Sequence, residues 1–173
     1  MKIIASSKHL GVIPGSLGSM GDVSWTPVDM LSQIIVELML KDYELEETWT
    51  KFHHLDNPKS CEWSSLAPVV QEYFSSSNTV AEKATERVED KMPKIVAFGE
   101  WVQILKESGQ QKVMDLEKNP GLKLLEFYQS LNRPSKPGSK LATTETCKRS
   151  ETMRTLKAVD GDWMLVWLDQ WRF

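Results

Sequence analysis

The chain has 173 residues, 40% of them hydrophobic and 26% charged, with a net charge of −3. That is the size of one domain or one lobe, with the composition of a globular protein. Lysines and acids alternate without a basic stripe or polybasic cluster, so nucleic acid and membrane surfaces are excluded as partners. Cys61 and Cys147 lie far apart, no secretory leader forms before Ser6, and no apolar run reaches the length of a membrane span. A cytoplasmic protein with free thiols is expected.

Residues 1–22 carry Gly11, Pro14, Gly15, Gly18 and Gly21 and read as a Gly/Pro-rich loop with a short strand near Leu10–Ile13. Val23–Val28 reads as a strand. Asp29 then caps a helix whose apolar residues, Met30, Leu31, Ile34, Ile35, Leu38 and Met39, recur at helical spacing. A charged loop, 41–47, leads to a strand over Trp49–Leu55, stopped by Asp56-Asn57-Pro58. Glu62–Phe74 is predicted helical despite Pro68, with a break at Ser75–Asn78 and a solvated helix over Thr79–Lys91.

Lys94–Phe98 is extended, and Gly99–Ser108 forms a helix. Asn119-Pro120 starts another, with Leu122, Leu124, Leu125, Tyr128 and Leu131 inward. Residues 132–140 form a Pro/Gly/Ser linker. Ser150 caps a helix through Leu156. Asp160 or Asp162 caps the last, which carries Trp163, Trp167, Leu168 and Trp171 on one stripe. The resulting class is α+β and mostly helical. Its strands are too few for the sheet of about six that a dinucleotide-binding fold requires.

Gly15-Ser-Leu-Gly-Ser-Met-Gly21 matches the spacing GxxGxxG of a phosphate loop. Phosphate binding needs a helix N-terminus directly after such a loop, and a strand-like, proline-broken stretch follows here instead. A reductase that uses a Tyr/Lys proton donor needs the two residues four apart. The residues four beyond Tyr43, Tyr73 and Tyr128 are Glu47, Ser77 and Asn132. His53 and His54, followed by Asp56, are the candidate catalytic residues. On a strand they point to opposite faces, so they do not chelate one metal, but either can serve as an acid or base. Trp25, beside the glycine-rich loop, is a candidate pocket wall.

Several motifs recur together. They are Leu10-Gly-Val-Ile-Pro-Gly-Ser-Leu-Gly18, Val23-Ser-Trp-Thr-Pro-Val-Asp29, Phe52-His-His-Leu-Asp-Asn-Pro58, Phe98-Gly-Glu-Trp101, Asn119-Pro-Gly-Leu-Lys-Leu-Leu-Glu-Phe-Tyr128 and Trp163–Trp171. In this order the chain resembles the C-terminal part of a thioester reductase domain. That domain has the male-sterility type of extended short-chain-dehydrogenase fold and is found in fungal NRPS-like enzymes, carboxylic acid reductases and polyketide synthases.

The resemblance implies a single lobe over residues 1–173: a partial, truncated fold without the Rossmann half that binds NADPH. Trp25, Asp29 and Asn57 would contact substrate. No cofactor site is expected within this chain, and no metal. The expected ligand is a small or carrier-tethered acyl or polyketide substrate. The expected partners are a synthase, a carrier protein or a second copy. Two functional readings follow: a binding protein without its own reductase activity, or a cofactor-independent cyclase, isomerase or pericyclase that reuses the substrate cleft.

Overall fold

A computed structural model describes residues 2–44, 51–81, 92–110, 116–133 and 140–172, with side chains at 44 and 77–81 outside that description. It is α+β and mostly helical. The described elements are α1 (Lys2–Leu10), β1 (Val12–Pro14), a 3-10 turn (Gly18–Met20), β2 (Asp22–Val23), α2 (Val28–Glu44), β3 (Cys61–Glu62), α3 (Trp63–Ala81), β4 (Lys94–Val96), α4 (Phe98–Ser108), a second 3-10 turn (Pro120–Leu124), α5 (Leu125–Leu131), α6 (Thr144–Arg149), α7 (Glu151–Thr155) and α8 (Gly161–Trp171). β1 pairs with β4 and β2 pairs with β3, each as a two-stranded sheet.

The chain falls into two compact units. The first comprises 1–21, 62–137 and 160–173, and the second 22–61 and 138–159.

The first unit is built on Trp101. Its ring is fully buried, stacks on Phe98 at 6.2 Å between centroids and meets Tyr128 edge-on at 5.2 Å. Val102 and Leu105 complete the buried face of α4, with Leu10, Val12, Val96 and Leu122 packed around it. β1 and β4 run parallel, Ile13 opposite Ile95. Trp63, buried at the start of α3, donates its indole N–H to the Pro14 carbonyl at 2.7 Å, which ties the helix to the end of β1.

Three expectations change in this unit. Lys2–Leu10 is helical where a loop is expected. Its inward face holds Ile4, Ser6 and Ser7, and the serines have partners: Ser6 Oγ accepts the Gly121 N–H at 2.7 Å, and Ser7 Oγ accepts the Trp101 indole N–H at 3.1 Å. The expected break at Ser75–Asn78 is helix, because Ser75 and Ser76 donate to the carbonyls of Gln71 and Glu72 and need no other conformation. Asn119 does not cap the turn that follows it; its amide donates to Ser108 Oγ at 2.8 Å. Trp163, Trp167 and Trp171 form a half-buried ladder, centroids 6.2 and 6.3 Å apart, while Met164 and Leu168 are the buried residues of α8. Most of the solvated helix expected at 79–91, and residues 134–139 of the linker, lie outside the described residues.

The second unit packs α2 against α6 and α7. Ile34, Leu38 and Met153 are its buried centre, with Leu55 and Cys147 against them. Helix α2 begins at Val28, so Asp29 lies in the first turn, where its charge meets the positive end of the helix dipole, instead of capping. The strand expected at Val23–Val28 is reduced to β2, and residues 51–55 of the other expected strand are not strand; 49 and 50 lie outside the description.

The link between α2 and α7 is a carboxylate. Glu37 accepts hydrogen bonds from Ser150 Oγ at 2.6 Å, Thr152 N–H at 3.1 Å and Thr152 Oγ1 at 2.5 Å. Ser150 is also the N-cap of α7, accepting from Met153 N–H at 3.0 Å. Burial pushes the Glu37 carboxyl up, but these hydrogen bonds outweigh it, and the group sits below its ordinary value of 4.5. Glu37→Gln is expected to cost about 1–3 kcal/mol at neutral pH, because two donors then face an amide NH2. With its pKa depressed in the folded state, the carboxylate adds stability above about pH 4.5 and loses it as the pH falls through the lowered value. Urea melts of both proteins across that range should converge at the acid end.

Candidate functional site

All five residues singled out from the sequence lie in the second unit. Asn57 is buried and its amide group is almost fully used. Nδ2 donates to the carbonyls of Trp25 at 3.2 Å and Lys157 at 2.8 Å, and Oδ1 accepts the Lys59 N–H at 3.0 Å. Its own N–H donates to the Ser24 carbonyl at 3.1 Å. Ser24 Oγ donates to Asp56 at 2.6 Å, and Thr26 Oγ1 to the Leu55 carbonyl at 3.3 Å. Side chains thus lace 24–26 to 55–57. Asn57 and Trp25 are brought together, Trp25 half-buried, with Asn57 acting as a clamp on the segment that presents it. Asp29 is exposed on α2.

The two histidines diverge. His53 Nε2 lies 3.1 Å from Asp42 Oδ2, which accepts and so fixes the proton on Nε2. Its Nδ1 is buried without a hydrogen-bond partner among the described residues. Asp42 also pairs with Lys51 at 3.4 Å and Arg149 at 2.9 Å. Burial raises the Asp42 carboxyl, and the hydrogen bonds from His53 and Lys51 bring it below the ordinary aspartate range. His53 is therefore part of a charge cluster that joins α2 to α6. His54 is exposed, and its Nδ1 donates to the Ala142 carbonyl at 2.9 Å. A carbonyl only accepts, so the neutral ring carries its proton on Nδ1 and leaves Nε2 as the basic nitrogen. The pairings of Asp42 with Arg149 and of Glu37 with Thr152 carry no sequence motif, because they span 107 and 115 residues.

β1 leads into the glycine loop of the first unit, and a single 3-10 turn and then β2 follow it. Gly18 has φ +59°, and a Cβ there would sit 2.4 Å from the Leu131 carbonyl oxygen. Gly21 O accepts the Trp63 N–H at 2.7 Å. The glycines are used against protein.

Comparison with known proteins covers the whole chain. A carboxylic acid reductase of Neurospora crassa is 36% identical over 176 residues, 99% of this chain and 15% of the reductase. This chain is homologous to a segment of that fungal reductase. A clavatol synthase of Penicillium crustosum is 26% identical over 98% of the chain, and a non-reducing polyketide synthase of Emericella nidulans 28% over 92%. The chain spans 6% and 5% of those two proteins. No family model matches. The relatives agree with the C-terminal reductase-like domain that the motifs imply, and the chain is related to fungal secondary-metabolite enzymes. No described helix is long and apolar enough to cross a membrane.

Proposed function

We propose that this chain binds an acyl- or polyketide-type substrate, free or tethered to a carrier protein of a secondary-metabolite synthase, without reducing it with NADPH itself. The reading rests on one observation above all. The chain matches a reductase segment end to end, yet its 173 residues hold no tyrosine with a lysine four positions on. The use of Gly18 against Leu131 supports the same reading. Trp25, held by Asn57, supplies the aromatic wall, and Asp29 the exposed charge beside it.

A protein partner is supported by the outer face of α2. Val28, Ile35, Val36, Met39, Leu40 and Tyr43 share that face and are exposed, Met39 at 68% and Tyr43 at 84%. A synthase, a carrier protein or a second copy of the chain would cover it. The free thiol of Cys147 supports a reducing, cytoplasmic setting.

The test is calorimetric titration with an acyl-pantetheine thioester. Binding is expected, weakened in Trp25→Ala and unaffected by NADPH. Failure to bind any such thioester overturns the reading.

His54 favours a second reading, a cofactor-independent cyclase or isomerase. Its orienting bond to Ala142 leaves Nε2 as an available base. Incubation with polyketide precursors should then give a cyclised or isomerised product. His54→Gln should lower the turnover number by about a hundredfold, within the range for general bases. Equal turnover in the variant removes the histidine from that role.

A further inference from the structure

Helix α2 has two apolar faces, and its own unit uses one of them. Ile34 and Leu38 are buried against Met153, Leu55 and Cys147. The other face runs the length of the helix, 17 residues or about 25 Å. At helical spacing Val28, Ile35, Val36, Met39, Leu40 and Tyr43 fall within about 140° of the circumference. Their exposure runs from 41% at Ile35 to 84% at Tyr43. Ser32, in their midst, turns its hydroxyl back onto the Val28 carbonyl at 2.8 Å. Two carboxylates of α2 are engaged within the unit: Glu37 accepts from Ser150 and Thr152, and Asp42 pairs with His53 and Arg149. Asp29, exposed, stands at the N-terminal end of the outer face.

Single exposed apolar residues are ordinary on a protein surface. Six on one face are contiguous. Together they leave on the order of 700 Å² uncovered, above the about 300–600 Å² of the largest patch on a typical monomer.

We propose that this face binds the same face of a second copy of the chain, the two α2 helices lying antiparallel across a two-fold axis between Ile35 and Val36. The proposal rests on the reading that a protein covers α2, and it commits to which one. The uncovered area is close to the about 800 Å² that each partner gives to an interface of standard size. A partner selected by charge would need charges within the face, and Asp29 at one end is the charge that the face presents. An uncharged stripe is complementary to itself, as a two-fold pairing requires. In the antiparallel arrangement Val28 of each copy meets Tyr43 of the other, Ile35 meets Val36, and the small Ser32 leaves room for Met39. The two Asp29 carboxylates then stand about 20 Å apart along the axis, two screening lengths at 0.1 M salt. A parallel pair would bring them together. Each Asp29 is instead beside the other copy's Tyr43, placed to accept from its hydroxyl.

The test is sedimentation equilibrium of the full chain over a range of concentrations, with thermal melts to check that each variant is folded. The wild type should show twice the chain mass of 19.8 kDa and dissociate on dilution. Val36→Glu sets two carboxylates against each other at the axis and should raise the dimer dissociation constant by about a hundredfold or more, as an unpaired buried charge does. Met39→Glu, at a more exposed position, is the second variant and should act the same way. Val166→Glu, 52% exposed on α8, should remain dimeric. A monomeric wild type, whose α2 face is then left to a different protein, would overturn the proposal, as would a dimer that both α2 variants leave intact. Titration of the same samples with the acyl-pantetheine thioester keeps the two readings apart. A dimer that binds no thioester overturns the acyl-binding reading and supports this one; a monomer that binds it does the reverse.

Discussion

Trp101→Ala should cost the protein about 3–5 kcal/mol, the range for removing a large buried aromatic. The ring has no exposed surface, stacks on Phe98, meets Tyr128 edge-on and donates to Ser7. Alanine would leave a cavity in the middle of the first unit and would also leave Ser7 Oγ without its donor. Domains of this size are stable by about 5–15 kcal/mol, so the loss takes a large share of the total. Urea denaturation should show the midpoint falling steeply. Trp101→Phe separates the two contributions: it keeps most of the apolar area and loses the hydrogen bond, so about 1–2 kcal/mol is expected. A midpoint unchanged by the alanine variant would mean that α4 is not the centre of this unit.

Gly18→Ala is the second large effect, and it also bears on cofactor use. A methyl group at this position would lie 2.4 Å from the Leu131 carbonyl oxygen and 3.2 Å from the Phe98 ring, and φ +59° disfavours any L side chain. The left-handed conformation alone costs about 1–2 kcal/mol, and the overlap adds a backbone shift in α5 or in the loop. A drop in melting temperature of several degrees is expected, on the order of 2–4 °C per kcal/mol for a chain of this length. A phosphate-loop reading makes the opposite forecast: a folded protein of normal melting temperature that has lost NADPH affinity. The two are separated by a melting curve with and without NADPH.

Helix spacing with clear apolar periodicity was legible from the sequence. The inward set of α2, Ile34 and Leu38, the α4 set around Trp101, and the caps Ser150 and Asp160 all follow from local chemistry. α1 was not legible, because two of its buried positions are serines. Their burial makes sense only with Trp101, 94 residues from Ser7, and Gly121, 115 residues from Ser6, in place. The same reason hid the Glu37 and Asp42 clusters, whose partners in α6 and α7 are more than 100 residues away. The strand pattern of 51–55 misled in the other direction. Alternation of apolar and polar residues suits a strand, but here the segment is held by side chains, with Thr146 Oγ1 donating to the His54 carbonyl at 3.0 Å.

The candidate site divides the same way. Motif order points to Trp25 and Asn57, and Asn57 Nδ2 donates to the Trp25 carbonyl. What Asn57 does there, bridging two carbonyls, depends on Lys157, 100 residues on. The difference between His53 and His54 depends on Asp42 and Ala142, and no local pattern distinguishes two adjacent histidines.

The most direct measurement combines an acyl-pantetheine thioester and NADPH with the purified chain, following thioester binding by calorimetry and NADPH oxidation by absorbance. The account predicts a binding isotherm for the thioester and no NADPH consumption above the protein-free rate. Oxidation of NADPH with release of an aldehyde or alcohol would contradict it.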